Sequence, residues 1–129
     1  MIKENYVNFE TAKLLKEKGF DEKACNTCYK WNGNFCNNRK SMSGIDNEIC
    51  YQSPTLQMVM KWLREVHHYY IQVMLDSWAC GGHMGYYVVI QKTDSDFEMM
   101  LQDAVDEVFY QTYEEACEAA IKYCLENLI

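Results

Sequence analysis

The sequence predicts an α+β protein in which helices pack on a mostly antiparallel sheet, in the order α-β-β-β-α-β-β-α-α. Segments with apolar residues at helical spacing alternate along the chain with short segments of period two, which are typical of strands. The chain has 129 residues, 49% of them apolar and only one a proline. This length and composition are typical of one folded unit, so we expect residues 1–129 to form a single domain.

The first part of the chain predicts a helix followed by turn-rich strands. Apolar residues recur at helical spacing in "NFETAKLLKEKGF", and Gly19 stands where such a helix would end. Between residues 25 and 51 the motifs "NGN", "NN" and "SG" interrupt short segments, as hairpin turns do. We expect strands near residues 27–31, 34–39 and 47–51.

The middle of the chain predicts a helix and a hairpin. "SPTLQMVMKWLREVHH" offers Ser53 as a cap and Pro54 in the first turn, followed by apolar residues at helical spacing. "YYIQVMLDS" and "GYYVVIQKT" then alternate with period two. Because the glycine-rich "WACGGHMG" joins them, we expect an antiparallel pair.

The last part of the chain predicts two helices. In "SDFEMMLQDAVDEVF", Ser95 or Asp96 can cap a helix, and apolar residues follow at helical spacing. In "TYEEACEAAIKYCLENLI", Thr112 and Glu115 match a capping box. The stripe that we expect this last helix to bury consists of Ala116, Ala120, Ile121, Cys124, Leu125 and Leu128.

Three of these segments together resemble a known family. "ETAKLLKEKGF", "PTLQMVMKWLREVH" and "TYEEACEAAIKYCLENLI" are similar to segments of small uncharacterised proteins encoded by prophages and mobile elements of gut Bacteroidetes. The resemblance implies a compact phage-type α/β sandwich and an accessory role in the cytoplasm. The family has no established activity, so no catalytic or ligand residues carry over. Relatives keep a hydrophobic or tyrosine-rich hairpin where this chain has Cys28 and Cys36.

Charge and hydropathy argue against two kinds of partner. The net charge is −7, and residues 94–129 contain ten acidic residues against one lysine, Lys122. Such a surface repels phosphate, so we expect no nucleic acid partner. The longest apolar run, residues 86–90, is too short to span a bilayer, and the N-terminus lacks the apolar stretch of a signal peptide. We therefore expect no membrane partner and a cytoplasmic protein.

The cysteines near the N-terminus pose the question of a metal site. Cys25 and Cys28 have the two-residue spacing of zinc ligands, and Cys36 or Cys50 could supply a third thiolate. The second pair that zinc modules usually carry is missing. Reduced cysteines packed in or beside a hairpin are the alternative, because the total of seven is odd and no export signal is present. A small zinc-binding module using Cys25, Cys28 and Cys36 is thus the second hypothesis, and we expect no resident cofactor.

A catalytic site is the third hypothesis. Cys80 in the glycine-rich loop could act as a nucleophile, with His83, His67 or His68 as the base and Asp76 as the orienting acid. A hairpin tip, however, does not exclude water and offers no evident oxyanion hole. We therefore expect no catalytic residues and a protein that is not an enzyme.

Aromatic residues carry the leading hypothesis. The chain has ten tyrosines, five phenylalanines and three tryptophans, more than one small core easily hides. Alternation places neighbours such as Tyr86 and Tyr87 on opposite faces of a sheet, so some are exposed unless helices cover both faces. Exposed aromatic residues are enriched at interface centres. A tyrosine-covered sheet without a partner is the alternative. As the leading hypothesis we expect a protein-interaction protein of a phage or mobile element, with a homodimer as its simplest form. The candidate surface residues are Trp31, Tyr70, Trp78 and Tyr86. A narrower version has the acidic C-terminal third imitate nucleic acid to a basic protein.

Overall fold

The computed structural model describes residues 2–22, 25, 27–36, 50–76, 85–101 and 110–129, and the side chains of Cys36, Asp76 and Leu101 lie outside this description. The described chain forms three α-helices and two three-stranded antiparallel sheets. The α+β class is therefore confirmed, with two small sheets in place of the one that we expected.

Helix α1 spans Phe9–Glu17. It begins at Asn8, whose side-chain oxygen accepts a hydrogen bond from the Thr11 N–H at 2.8 Å and so satisfies one free donor of the first turn. It ends before Gly19, which has a φ of +88°. Glycine adopts this left-handed conformation without steric cost, which explains why the helix stops where the sequence predicts.

The first sheet contains the predicted cysteine-rich hairpin. In its turn, the Gly33 N–H donates to the Lys30 carbonyl at 2.9 Å, and Gly33 has a φ of +88°. The "NGN" motif therefore makes the turn that it predicts. The strands are β1 (Cys28–Lys30), β2 (Phe35–Cys36) and β3 (Cys50–Gln52), in the order β2-β1-β3.

Helix α2 spans Leu56–Val66 and starts later than the sequence suggests. Its cap is Thr55, whose hydroxyl accepts from the Met58 N–H at 3.2 Å. Ser53, the predicted cap, is instead fully buried, and its hydroxyl donates to the Val7 carbonyl at 3.3 Å. The prediction of Ser53 as the cap is therefore wrong, because this serine ties the N-terminal segment to the core.

The second sheet consists of β4 (Tyr69–Asp76), β5 (Gly85–Lys92) and β6 (Glu98–Leu101), in the order β4-β5-β6. The helix predicted from "SDFEMMLQDAVDEVF" is wrong at residues 98–101, and its part at 102–109 lies outside the described residues. Met99 pairs with Ile90, and half-buried Met99 alternates with exposed Met100. The strand satisfies backbone groups on the side of β5 away from β4, a pairing that the apolar pattern within the segment does not reveal.

Helix α3 spans Tyr113–Tyr123 and continues as a π-helical turn over Cys124–Leu128. The Thr112 hydroxyl accepts from the Glu115 N–H at 3.1 Å, which is the first half of the predicted capping box. The predicted stripe is confirmed, since Leu128 is half-buried and the other five residues are fully buried: Ala116, Ala120, Ile121, Cys124 and Leu125.

The main core lies on one face of the second sheet. Helix α2 packs on β4, and α3 packs on β4 and β5, while α1 contacts α3 and β3. Residues at the centre of this core include Leu15, Leu63, Val88, Ile90 and Ile121, all fully buried. In the part of the chain that the structure describes, no helix has the length and apolar character needed to cross a membrane.

Candidate functional site: the open face of the second sheet

The two faces of the second sheet have different surroundings. Residues of β4 and β5 alternate between them, so that Ile71, Val88 and Ile90 enter the buried core. The intervening residues form the opposite face, and none of them belongs to the core cluster. We call this opposite face the open face; it consists of Tyr70, Gln72, Met74, Tyr87, Val89, Gln91, Glu98 and Met100.

The middle of the open face is apolar and accessible. Met100 exposes 59% of its surface, and Tyr70 and Met74 expose 39% each. Val89 lies between Gln72 and Met100 in the strand register, so an aliphatic side chain occupies the centre of the sheet. Exposed methionine and tyrosine around an aliphatic centre are residue types that are typical of contact surfaces.

Polar side chains form a row across one end of this surface. The side-chain amide of Gln72 donates to the Gln91 side-chain oxygen, and the Gln91 amide donates to Glu98 Oε2 at 3.4 Å. The Arg64 guanidinium lies 5.8 Å from the centre of the Tyr70 ring. These contacts restrict the rotamers of the side chains that border the apolar centre.

A depression of about 380 Å³ opens beside this polar row. Its charged lining residues are Lys92, Asp96 and Glu98, with Tyr70 and Phe97 as aromatic walls. The Lys92 ammonium is 3.9 Å from Asp94, a loose surface ion pair. Two carboxylates and one ammonium therefore line the depression, and the Arg64 guanidinium lies beside its Tyr70 wall.

The four surface residues singled out in the sequence do not form one site. Tyr70 belongs to the open face, whereas Tyr86 lies on the helix-covered face, with its ring centre 6.3 Å from that of Tyr113. Trp31, 62% exposed, lies in the β1–β2 turn of the other sheet. Trp78 is outside the described residues.

Sequence reasoning missed several residues of the open face. Met74 and Val89 could have been found, because they share a face with Tyr70 and Tyr87 by simple alternation. Met100 could not, because the segment that contains it was predicted as a helix. Identifying it requires knowledge of the pairing between β5 and β6.

The cysteines are only partly brought together. The strand register places Cys28 opposite Cys36 and Cys50 opposite Lys30. The Cys25 thiol is buried and donates to the Thr27 carbonyl at 3.4 Å. Among the described residues, no group of three or more histidine, cysteine, aspartate or glutamate side chains could hold a metal ion.

The residues considered for catalysis are divided between described and undescribed parts of the chain. Cys80 and His83 lie outside the described residues. His67 ends α2 with its ring 4.6 Å from that of Trp62, and within the described structure its Nε2 atom has no hydrogen-bond partner. Burial, and secondarily the charge of His68, lower the pKa of His67.

Comparison with known proteins adds no relative: no family model, curated protein or solved structure matches the chain.

Proposed function

We propose that this chain is a non-enzymatic protein-binding module that docks a partner protein on the open face, as an accessory protein of a phage or mobile element. One observation carries the proposal: the helices cover one face of the second sheet, and the other exposes Met100, Met74 and Tyr70. Exposed apolar groups grouped on one surface are typical of a contact site.

The arrangement suits the binding of a protein surface. The sheet fixes the backbone beneath the open face, so little ordering is required when a partner binds. An apolar centre that includes Val89 and Met100 can exclude water, while the Gln72 and Gln91 amides provide hydrogen bonds at its border.

Charge indicates the partner's chemistry. The chain carries a net charge of −7, and carboxylates of Asp96 and Glu98 line the depression at the end of the open face. We expect a partner whose contact surface is apolar at its centre and basic at one side, because opposite potentials accelerate encounter and fix orientation.

A charge placed in the open face tests this proposal. Met100→Glu buries a carboxylate in the interface without disturbing the core, since Met100 is 59% exposed. With tagged protein as bait in host lysate, we expect the partner retained by wild type to be lost, with affinity reduced at least tenfold. Ile2→Glu is the matched control, because Ile2 is 97% exposed and lies outside the face. Equal retention by the two variants would contradict the proposal.

A zinc-binding module is the second candidate, because Cys28 lies opposite Cys36 in the strand register. Metal analysis together with thiol titration separates the two functions. About one equivalent of zinc with three or four protected thiols would favour the metal module over the protein-binding one.

A further inference from the structure

Strand β4 ends the second sheet among the strands that the structure describes. The backbone groups that it presents outward can be identified from its neighbours. Tyr86 exchanges both of its backbone hydrogen bonds with Tyr110, on the side of β5 away from β4. The even-numbered residues of β5 therefore face away from β4, and the odd-numbered ones face it.

The same reasoning assigns the two sides of β4. Gln72 is opposite Val89 in the register, so the even-numbered residues of β4 bond to β5. The backbone N–H and C=O groups that point out of the sheet belong to Tyr69, Ile71, Val73 and Leu75. Within the described strands, these groups are a row of donors and acceptors available for another strand.

Between Tyr69 and Leu75, the sequence of β4 itself contains none of the residues that usually protect a sheet edge against pairing. Natural proteins block sheet edges with lysine and other charged residues, or with proline, which lacks a backbone N–H. The segment Tyr69–Leu75, "YYIQVML", contains no charged residue and no proline. Its side chains are apolar or aromatic apart from Gln72, and Leu75 exposes 54% of its surface.

We propose that a second copy of this chain pairs antiparallel with β4, about a two-fold axis at Gln72. The proposal deepens the proposed function, because it names the chain itself as one protein that is bound. It uses the strand edge and not the apolar centre of the open face, so the two can be tested separately.

The backbone selects this register. With Gln72 opposite its copy, Tyr69 pairs with Leu75 of the second copy, and Ile71 pairs with Val73. Within Tyr69–Asp76 this register uses all four outward residues of each strand, giving about eight hydrogen bonds across the edge. If the register is shifted by one residue, some of the outward N–H and C=O groups of one strand have no partner in the other strand.

The side chains agree with the same register. Tyr70 comes opposite Met74 of the second copy, a favourable sulfur and aromatic pair, and Gln72 meets its own copy. In this register, Tyr69 of the second copy covers Leu75. The cationic Arg64 lies beside Tyr70, and the two Tyr70 positions are roughly 13 Å apart at the strand rise per residue. That distance exceeds the screening length of about 8 Å, so the two arginines repel weakly.

The pairing extends the surface described above. It joins the second sheets of two copies into six continuous strands, with both open faces on the same side of the joined sheet. A partner would then encounter two apolar centres side by side, which strengthens binding through multivalency.

Val73→Pro tests the edge. Proline removes an N–H that points out of the sheet, so the monomer keeps its ladder to β5 and its circular dichroism. We expect wild type to sediment as a dimer of twice 15.2 kDa in analytical ultracentrifugation. The Val73→Pro variant should have a dimer dissociation constant raised roughly a hundredfold. The proposal requires a dimer dissociation constant below about 100 μM. A wild-type protein that remains monomeric at about 100 μM would therefore overturn it.

Charge pairs at the axis test the register even if the proline variant does not fold. Gln72→Lys and Gln72→Glu each place like charges opposite each other, and each should weaken the dimer about tenfold. Mixing the two variants should restore a mixed dimer. Ile2→Lys is the control for the added charge: Ile2 is 97% exposed and lies outside the second sheet, so this variant should leave the dimer intact. Failure of the mixture to restore the dimer would overturn the register.

The edge-pairing proposal and the open-face docking proposal predict different results for the same variants. Loss of the dimer in Met100→Glu, together with a normal dimer in Val73→Pro, would place self-association on the open face and overturn the edge pairing. A dimer that Val73→Pro abolishes, combined with equal partner retention by Met100→Glu and Ile2→Glu, would support the edge pairing and contradict partner docking on the open face.

Discussion

Two cysteines show how burial controls the chemistry of single side chains. Burial raises the pKa of Cys117 to about 11 and that of Cys124 to about 12, so both thiols stay protonated at neutral pH. Cys117 lies on the inner side of α3 and Cys124 in the π-helical turn that follows it, and both are fully buried in the core. The sequence predicted this burial for Cys124 from its position in the stripe, but spacing alone cannot show whether thiols such as Cys28 and Cys36 converge.

His67 should make stability depend on pH. Its pKa in the folded chain is lowered by burial and then by His68, so below about 6.5 the unfolded chain binds more protons. The contribution of His67 to stability is therefore present above the unfolded pKa and is lost as pH falls through the folded pKa. We expect the melting temperature of wild type to fall more between pH 7.5 and 5.5 than that of His67→Phe, which keeps an aromatic ring beside Trp62.

The control for this prediction is His68→Asn. His68 has a φ of +66°, which asparagine tolerates, and the variant keeps the half-buried imidazole of His67. We expect it to retain most of the pH dependence. An equal decrease in melting temperature for wild type and His67→Phe would show that His67 does not contribute.

Secondary-structure elements were predictable where local signals were strong. The three observed α-helices follow from apolar residues at helical spacing, and the "NGN" hairpin follows from its turn residues. Of the predicted N-caps, that of α3 is correct and that of α2 is wrong. Strand β6 was not predictable in this way, because "EMML" is a short, mostly apolar segment that fits a helix as well as a strand. Its pairing with β5 decides the outcome, and that partner is separated from it by a turn.

The cap of α3 should contribute measurably to stability. The Thr112 hydroxyl accepts from the Glu115 N–H, so Thr112→Ala leaves that donor without its side-chain partner. We expect a loss of about 1 kcal/mol in the free energy of unfolding, measured by urea denaturation. Thr112→Ser keeps the hydroxyl and should stay within a few tenths of a kcal/mol of wild type. Equal losses for alanine and serine would contradict a role for the hydroxyl.

At the scale of the whole molecule, helices cover one face of the second sheet and leave the other face open, on an acidic chain. The open face could be predicted only in part from the sequence. Alternation within β4 and β5 assigns Tyr70 and Met74 to one side of the sheet. Which side the helices cover depends on tertiary packing and cannot be predicted from alternation. Because the helices pack on one face, Tyr86 contacts the core while Tyr70 lies on the open face.

The central claim is that a partner protein contacts the open face, and site-specific crosslinking tests it most directly. A photoreactive benzoylphenylalanine replaces Met100 in one protein and Ile2 in a matched control, both exposed in the wild type. The account predicts that, in host lysate, irradiation gives a defined covalent adduct at position 100, that Gln91→Lys in the same chain reduces its yield, and that position 2 gives none. Equal adducts at both positions, or none at position 100, would contradict the account.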